Sequence, residues 1–130
     1  MILSHDKKET IGDYMKITKR VYTLKEISDI VSPVVSKYDL SKLYVFGSYS
    51  RNEATFKSDI DFYVEGHKYH KFLSICTLYA DLEDCLHKHV DIINETDLMM
   101  NDTEEAKRLY ENIMKERVVV YERQKHGNVD

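Results

Sequence analysis

The chain has no tryptophan, a single proline, two cysteines and four glycines among its 130 residues. Two cysteines, Cys76 and Cys85, are too few for a disulfide framework, so a reduced cytoplasm is the simpler setting. So little proline and glycine excludes a collagen-like or low-complexity chain. No apolar run reaches the roughly 18 residues of a membrane span, so no membrane contact is expected. Met1 to Tyr14 lacks the apolar stretch of a secretory signal. A basic excess is missing too. Nineteen Lys and Arg face 23 Asp and Glu, a net charge of −4, so bulk attraction to a phosphate backbone is not expected and no direct nucleic-acid binding is foreseen. What remains is 42% apolar and 32% charged residues, an ordinary globular mixture with enough chain for one core. With glycine this scarce, a glycine between two apolar segments needs a physical reason. Gly47 is such a residue.

Residues 1–21 are polar and weakly periodic and read as a loosely docked leader, with Met15 a second candidate start. Residues 22–123 read as one domain and residues 124–130 as a polar tail. Thr23-Leu24-Lys25-Glu26 is a capping-box pattern, and Leu24, Ile27, Ile30 and Val31 follow at helical spacing. Ser32-Pro33 predicts a break or kink, with Val34, Val35 and Tyr38 continuing the buried face. Leu43 to Phe46 predicts a buried strand and Tyr49 to Ala54 a short helix. Ile60, Phe62 and Val64 alternate with Asp59, Asp61 and Tyr63, which predicts a strand with one apolar and one acidic face. Phe72, Ile75, Cys76, Tyr79, Leu82 and Leu86 fall on one helical stripe. Val90 to Ile93 predicts a third strand. Asp102 or Thr103 caps a helix buried through Ala106, Leu109, Tyr110 and Ile113, and Val118 to Tyr121 adds an edge strand. The expected fold is α/β (α+β): a small mixed sheet of about four strands with helices on one side.

One constellation carries chemistry: Gly47-Ser48, ten residues, then Asp59-Ile60-Asp61. Alternation along a strand turns both carboxylates to one face, where they repel each other unless a cation intervenes. Hard divalent ions prefer carboxylate oxygens. Upstream, a strand turns through Gly47 into what reads as a helix start, whose free N–H groups and Ser48 hydroxyl suit a phosphate. Glycine lets the backbone come close to that phosphate. Asp91 lies within the apolar strand Val90-Asp91-Ile92-Ile93, where a charge is costly without a partner. If that strand lies beside Ile60 to Val64, Asp91 can join the same metal site.

Leu43-Tyr44-Val45-Phe46-Gly47-Ser48-Tyr49-Ser50-Arg51-Asn52-Glu53-Ala54 with Ser58-Asp59-Ile60-Asp61 resembles the minimal nucleotidyltransferases of the DNA polymerase β-like superfamily. The likeness runs from about Thr23 to Glu122. It implies that Gly47 and Ser48 bind the nucleotide's phosphates. It implies that Asp59 and Asp61 hold two Mg²⁺ ions, and that Asp91 binds the catalytic metal and helps deprotonate the acceptor hydroxyl. Arg51 matches a family arginine that contacts phosphate or braces the loop. Asn52 stands where relatives often carry glycine, and asparagine tolerates positive φ better than most residues. Phe62 replaces a commoner aliphatic residue. Small members of this family are often encoded beside a HEPN-domain ribonuclease toxin and silence it as antitoxins. They do so by moving AMP from ATP to a tyrosine of the toxin. The resemblance therefore implies ATP, Mg²⁺ and a HEPN toxin as partners, in the cytoplasm. A homo-oligomer is compatible with the sequence.

Plainer readings stand beside these. Asp-x-Asp alone would be a solvated strand face, and Ser48 an ordinary helix cap, a role compatible with phosphate binding. Structural bracing explains Arg51 as well as phosphate contact does. Lys42 and Lys57 read as solvated. His87-Lys88-His89 with Cys85 lacks a second ligand pair for zinc and reads as a helix end with surface histidines. Cys76 reads as a core filler and Cys85 as partly exposed. The tyrosines read as packing residues, with Tyr49 and Tyr63 flanking the motif. Two alternative functions remain: nucleotidyl transfer to a small molecule, and a binding module that neutralises its partner without catalysis.

Overall fold

The computed structural model describes residues 20–66 and 72–124. Most of the expected leader, residues 1–19, and the tail from residue 125 lie outside the described residues. Helix α1 spans Leu24–Val35 and opens as its sequence dictates: Thr23 accepts from the Glu26 N–H while the Glu26 carboxylate accepts from the Thr23 N–H. It buries Ile27, Val31 and Val35 completely. The break foreseen at Ser32-Pro33 does not occur, and the helix runs through Pro33 to Val35. Pro33 lies in the last turn, so one backbone bond is lost near an end that stops anyway. The Ser32 hydroxyl donates to the Ser28 carbonyl, and the Ser28 hydroxyl ties α1 to the Val120 carbonyl.

Four strands follow: β1 (Lys42–Phe46), β2 (Ile60–Glu65), β3 (Val90–Asn94) and β4 (Val118–Glu122), in the spatial order β3-β2-β1-β4. β1 pairs antiparallel with β2 and with β4, whereas β2 and β3 are parallel. Helix α2 (Phe72–Leu86) makes the crossover that a parallel pair requires. Its Glu83 carboxylate and Tyr79 hydroxyl accept from the outward N–H groups of Val90 and Ile92, which closes the free edge of β3. The buried face of α2 is Leu78, Leu82 and Leu86. Cys76 is exposed rather than a core filler, because two residues from Leu78 is about 200° around a helix. Cys85 is half-buried.

Helices α3 (Glu95–Met99) and α4 (Glu104–Glu116) complete the fold, the latter capped by Thr103. They correct the expectation of helices on one side. Leu43, Val45, Ile60, Phe62 and Val64 pack with α1 and α2, while Tyr44, Phe46 and Tyr63 point the other way and pack with Leu98, Ala106 and Ile113. The second face of β2 is therefore not continuously acidic: Tyr63, between Asp61 and Glu65, lies buried beneath α4. Sheet alternation produces this two-sided core. A strand whose successive residues are all apolar or aromatic, such as Leu43 to Phe46, needs cover on both faces.

The segment after β1 is a 3-10 turn over Gly47–Tyr49 rather than the expected helix over Tyr49 to Ala54. Ser50 and Arg51 both donate to the Gly47 carbonyl, and Asn52 then adopts φ +59°. A left-handed residue ends helical propagation, and asparagine is suited to that role. Among the described residues, no helix is long and apolar enough to cross a membrane.

Candidate active site

The parallel register of β2 and β3 sets Asp61 beside Asp91 and Tyr63 beside Ile93. These pairs share one sheet face, so both carboxylates emerge at the uncovered end of the surface that α3 and α4 otherwise close. Asp59 stands one residue before β2 and is exposed, as is Asp91, while Asp61 is half-buried. Burial pushes the Asp61 carboxyl up to about 6, helped by the charges of Asp91 and Asp59 and by a hydrogen bond with Asp91. Nearby Arg51 opposes the shift only weakly. Asp59 and Asp91, both named from sequence, thus act electrostatically on Asp61. Among the described residues, no three acidic, His or Cys side chains are already drawn around one point, so the triad is an open set of oxygens.

Gly47 lies across the β1–β2 pair from this group, since its neighbour Phe46 is opposite Asp61. It has φ +77°, and a Cβ there would run into the Asp61 carboxylate. Both the turn and the close approach therefore require glycine. Its N–H group is not open, as the sequence reading supposed. It donates to the Glu116 carboxylate at 2.9 Å. Arg51 reaches the same carboxylate, its guanidinium 3.0 and 3.1 Å from the two oxygens, and also pairs with Glu53 at 3.0 Å. Ser48 is half-buried in the 3-10 turn, and its carbonyl accepts from the Glu53 N–H. Gly47, Ser48, Arg51, Asp59, Asp61 and Asp91 are all brought to one end of the sheet.

Two residues of this region escaped the sequence reading. Glu116, in the last turn of α4, ties that helix to the Gly47 turn and to Arg51. Its sequence signal is one acid in a mixed-charge run 69 residues from Gly47, so nothing local identifies it. Lys88 is the other. It is only 2% exposed, between exposed His87 and His89, and its ammonium donates to the Phe56 carbonyl at 3.1 Å. Burial lowers its pKa, and the Asp59 charge partly opposes this. Lys88 thereby holds the loop that delivers Asp59. His87 has φ +55° just past α2, a helix-terminating residue as the helix-end reading expected, and burial pushes the Cys85 thiol up to about 11, unfavourable for a zinc thiolate.

Residues 25–126 match the family described as polymerase beta, nucleotidyltransferase. A Methanocaldococcus jannaschii protein with the provisional name protein adenylyltransferase is 36% identical over 70 residues, covering 54% of this chain and 75% of its own length. A second protein of that organism and provisional name is 39% identical over 75 residues, covering 55% and 76%. Among solved structures, one assigned as a minimal nucleotidyltransferase has a TM-score of 0.59 at 26% identity, covering 75% of this chain and 95% of that one. A toxin–antitoxin complex crystallised with AMP-PNP has a TM-score of 0.58 at 20% identity, covering 75% and 74%, a likeness of fold.

Proposed function

The chain belongs to the polymerase β-type nucleotidyltransferase family, and from that premise we propose that it moves AMP from ATP to a tyrosine hydroxyl of a HEPN ribonuclease toxin, with Mg²⁺, and so acts as an antitoxin. The observation that carries this reading is the in-register pair Asp61–Asp91, with Gly47 held against Asp61. The relatives named as protein adenylyltransferases and the toxin–antitoxin neighbour support a protein acceptor.

Asp61, made costly to ionise by burial and by the charges of Asp91 and Asp59, fits a divalent cation, which would turn repulsion into attraction. Asp59, Asp61 and Asp91 are the residues that would hold Mg²⁺, which when bound stabilises charge on the attacking and leaving oxygens. The protein's own groups do the rest. Asp91, exposed on the edge strand, accepts the proton of the tyrosine hydroxyl as its oxygen attacks the α-phosphorus. The bond from that phosphorus to the bridging oxygen breaks, and pyrophosphate leaves. Gly47 and Ser48 shape the turn against which the phosphates lie, and Glu116 sets the direction of Arg51 toward them.

The test is incubation with ATP, Mg²⁺ and a HEPN protein encoded beside this chain's gene, read by intact-protein mass spectrometry. A gain of one or more AMP groups on the toxin, absent with Asp59→Ala, is the expected result. A toxin neutralised with no mass gain would overturn catalysis in favour of steric inhibition.

A further inference from the structure

Asp91 sits on β3, an edge strand with a sheet neighbour, β2, on one side only. The N–H groups turned to the other side have no strand to bond. When Asp61 is ionised, the Asp91 carboxylate also meets a like charge there, which pushes the edge strand outward. Two side chains of α2 reach that outer edge. The Val90 N–H donates to the Glu83 carboxylate at 3.0 Å, and the Ile92 N–H donates to the Tyr79 hydroxyl at 3.0 Å. These are the residues on either side of Asp91. The two periods match. Tyr79 and Glu83, four apart on a helix, are separated by about 6 Å along its axis. Val90 and Ile92, two apart on a strand, are separated by about 6.6 Å. The later helix residue meets the earlier strand residue, so helix and strand run in opposite directions and both rungs form in step. Tyr79 and Glu83 are half-buried, and the Tyr79 ring packs against the core beneath the sheet, as Ile92 does. Leu78, Leu82 and Leu86, fully buried, fix the helix that carries them.

We propose that Tyr79 and Glu83 are positioning residues for Asp91. They hold the edge strand from its outer side, against the repulsion from Asp61, and so keep the Asp91 oxygens at the reacting centre. This rests on the reading of Asp91 as metal ligand and base in AMP transfer. Neither side chain lies on the reacting face. Helix α2 packs with Ile60, Phe62 and Val64, whereas Asp61 and Asp91 open on the opposite face. The effect therefore passes through the backbone of β3. In a parallel ladder alternate residues bond the neighbouring strand, so the N–H groups of Asp91 and Ile93 turn to β2 while those of Val90 and Ile92 turn to α2. Blocking an edge against stray pairing needs only a charge or a bulge. Two rungs that bracket the one carboxylate of the strand do more: they fix where that carboxylate stands.

Tyr79→Phe keeps the packed ring and removes its oxygen, and Glu83→Ala removes the other acceptor. Amide hydrogen exchange of the full chain, read by NMR without metal or ATP, is the first measurement. In the double variant the Val90 and Ile92 N–H groups should exchange about tenfold faster or more, since their partners are gone. The Asp91 N–H, which turns to β2, should also exchange several-fold faster, because the strand itself is loosened. Mn²⁺ binding without nucleotide, read by electron paramagnetic resonance, should weaken by about tenfold, the usual effect of losing groups that orient a metal ligand. In AMP transfer kcat should fall by about tenfold while KM for ATP stays within about twofold, as the Gly47 turn follows β1 rather than β3. Glu83→Gln, which still accepts from Val90, should recover most of what Glu83→Ala loses. Ser28→Ala removes an edge bond of the same kind at the other side of the sheet, from the Ser28 hydroxyl to the Val120 carbonyl of β4, and should leave kcat and Mn²⁺ affinity unchanged. Unchanged exchange at Asp91, unchanged Mn²⁺ affinity in the double variant, or an equal loss of kcat in Ser28→Ala would overturn the proposal. A native chain that moves no AMP to any toxin would remove the catalytic reading, and exchange and Mn²⁺ binding would still decide whether Tyr79 and Glu83 position Asp91.

Discussion

Asp61→Asn should destroy activity and stabilise the metal-free fold. In the folded chain the Asp61 carboxyl is raised from its ordinary 3.8 to about 6. Each tenfold change in proton affinity is worth about 1.4 kcal/mol, so the ionised form costs the fold about 3 kcal/mol as an upper figure. Water reaches part of this half-buried group, which leaves about 1–2 kcal/mol. The sign follows from protonation. The folded state binds the Asp61 proton more tightly than the unfolded state, so it is favoured at low pH. That advantage disappears as pH rises from about 4 through about 6. Asparagine, nearly isosteric and never ionised, avoids the loss. Urea unfolding without divalent metal should therefore show the variant more stable by about 1–2 kcal/mol at pH 7.5, shrinking to about half a kcal/mol or less at pH 4. Adding Mg²⁺ at pH 7.5 should stabilise the native chain and narrow the gap, because a ligand that binds only the folded state shifts the unfolding equilibrium by mass action. A variant no more stable than the native protein at pH 7.5, or equally stabilised at pH 4, would refute electrostatic strain at this carboxylate.

Three further variants probe the surrounding scaffold. Gly47→Ala imposes left-handed backbone on a residue with a Cβ, a cost of about 1–2 kcal/mol by itself, and drives that Cβ into Asp61, so both urea midpoint and AMP transfer should fall. Glu116→Ala leaves the Gly47 N–H without its partner and Arg51 held by Glu53 alone, with an expected loss of about 1–3 kcal/mol and a raised KM for ATP; Glu116→Gln, which still accepts, should recover most of the stability. Lys88→Met keeps the volume of the stem but removes the donor to Phe56, so the Mg²⁺ concentration for half-maximal transfer should rise while the urea midpoint moves little; a midpoint that drops with an unchanged metal requirement would make Lys88 a purely structural residue.

The elements that sequence made legible are those whose causes are local. The Thr23–Glu26 capping box, the Thr103 cap, the alternation in β2 and the spacing from Gly47 to Asp61 all lie within a few residues or one motif. Local rules failed where tertiary contact decided. Pro33 reads as a break or kink in any window, but no break occurs, because the buried row Ile27, Val31 and Val35 holds the helix to its end. Tyr63 reads as the outward member of an alternating strand, but α4 arrives from 40 or more residues away to cover it. The Gly47–Tyr49 turn stops short of a helix because Asn52 takes a left-handed conformation, a limit that asparagine permits but does not announce. Glu116 and Lys88 have no local signature, since a mixed-charge helix and a basic residue between two histidines ordinarily face water.

The site is thus placed where several costs coincide. Asp61 is pressed toward Asp91 by sheet register, not by attraction, and Gly47 takes a positive φ open to glycine and leaves room for that carboxylate. Lys88 is buried to fasten the loop before Asp59. Each contact is bought by packing elsewhere: Ile60, Phe62 and Val64 fix β2 from below, and Tyr44, Phe46, Tyr63 and Ile113 fix it from above. A sheet clamped on both faces can hold like charges together, whereas a strand free on one face would twist or slip to separate them. The second layer of helices therefore has a chemical role. By covering Tyr44, Phe46 and Tyr63, α3 and α4 leave Asp61 and Asp91 at an open end of that face, and Glu116 ties α4 to the Gly47 turn.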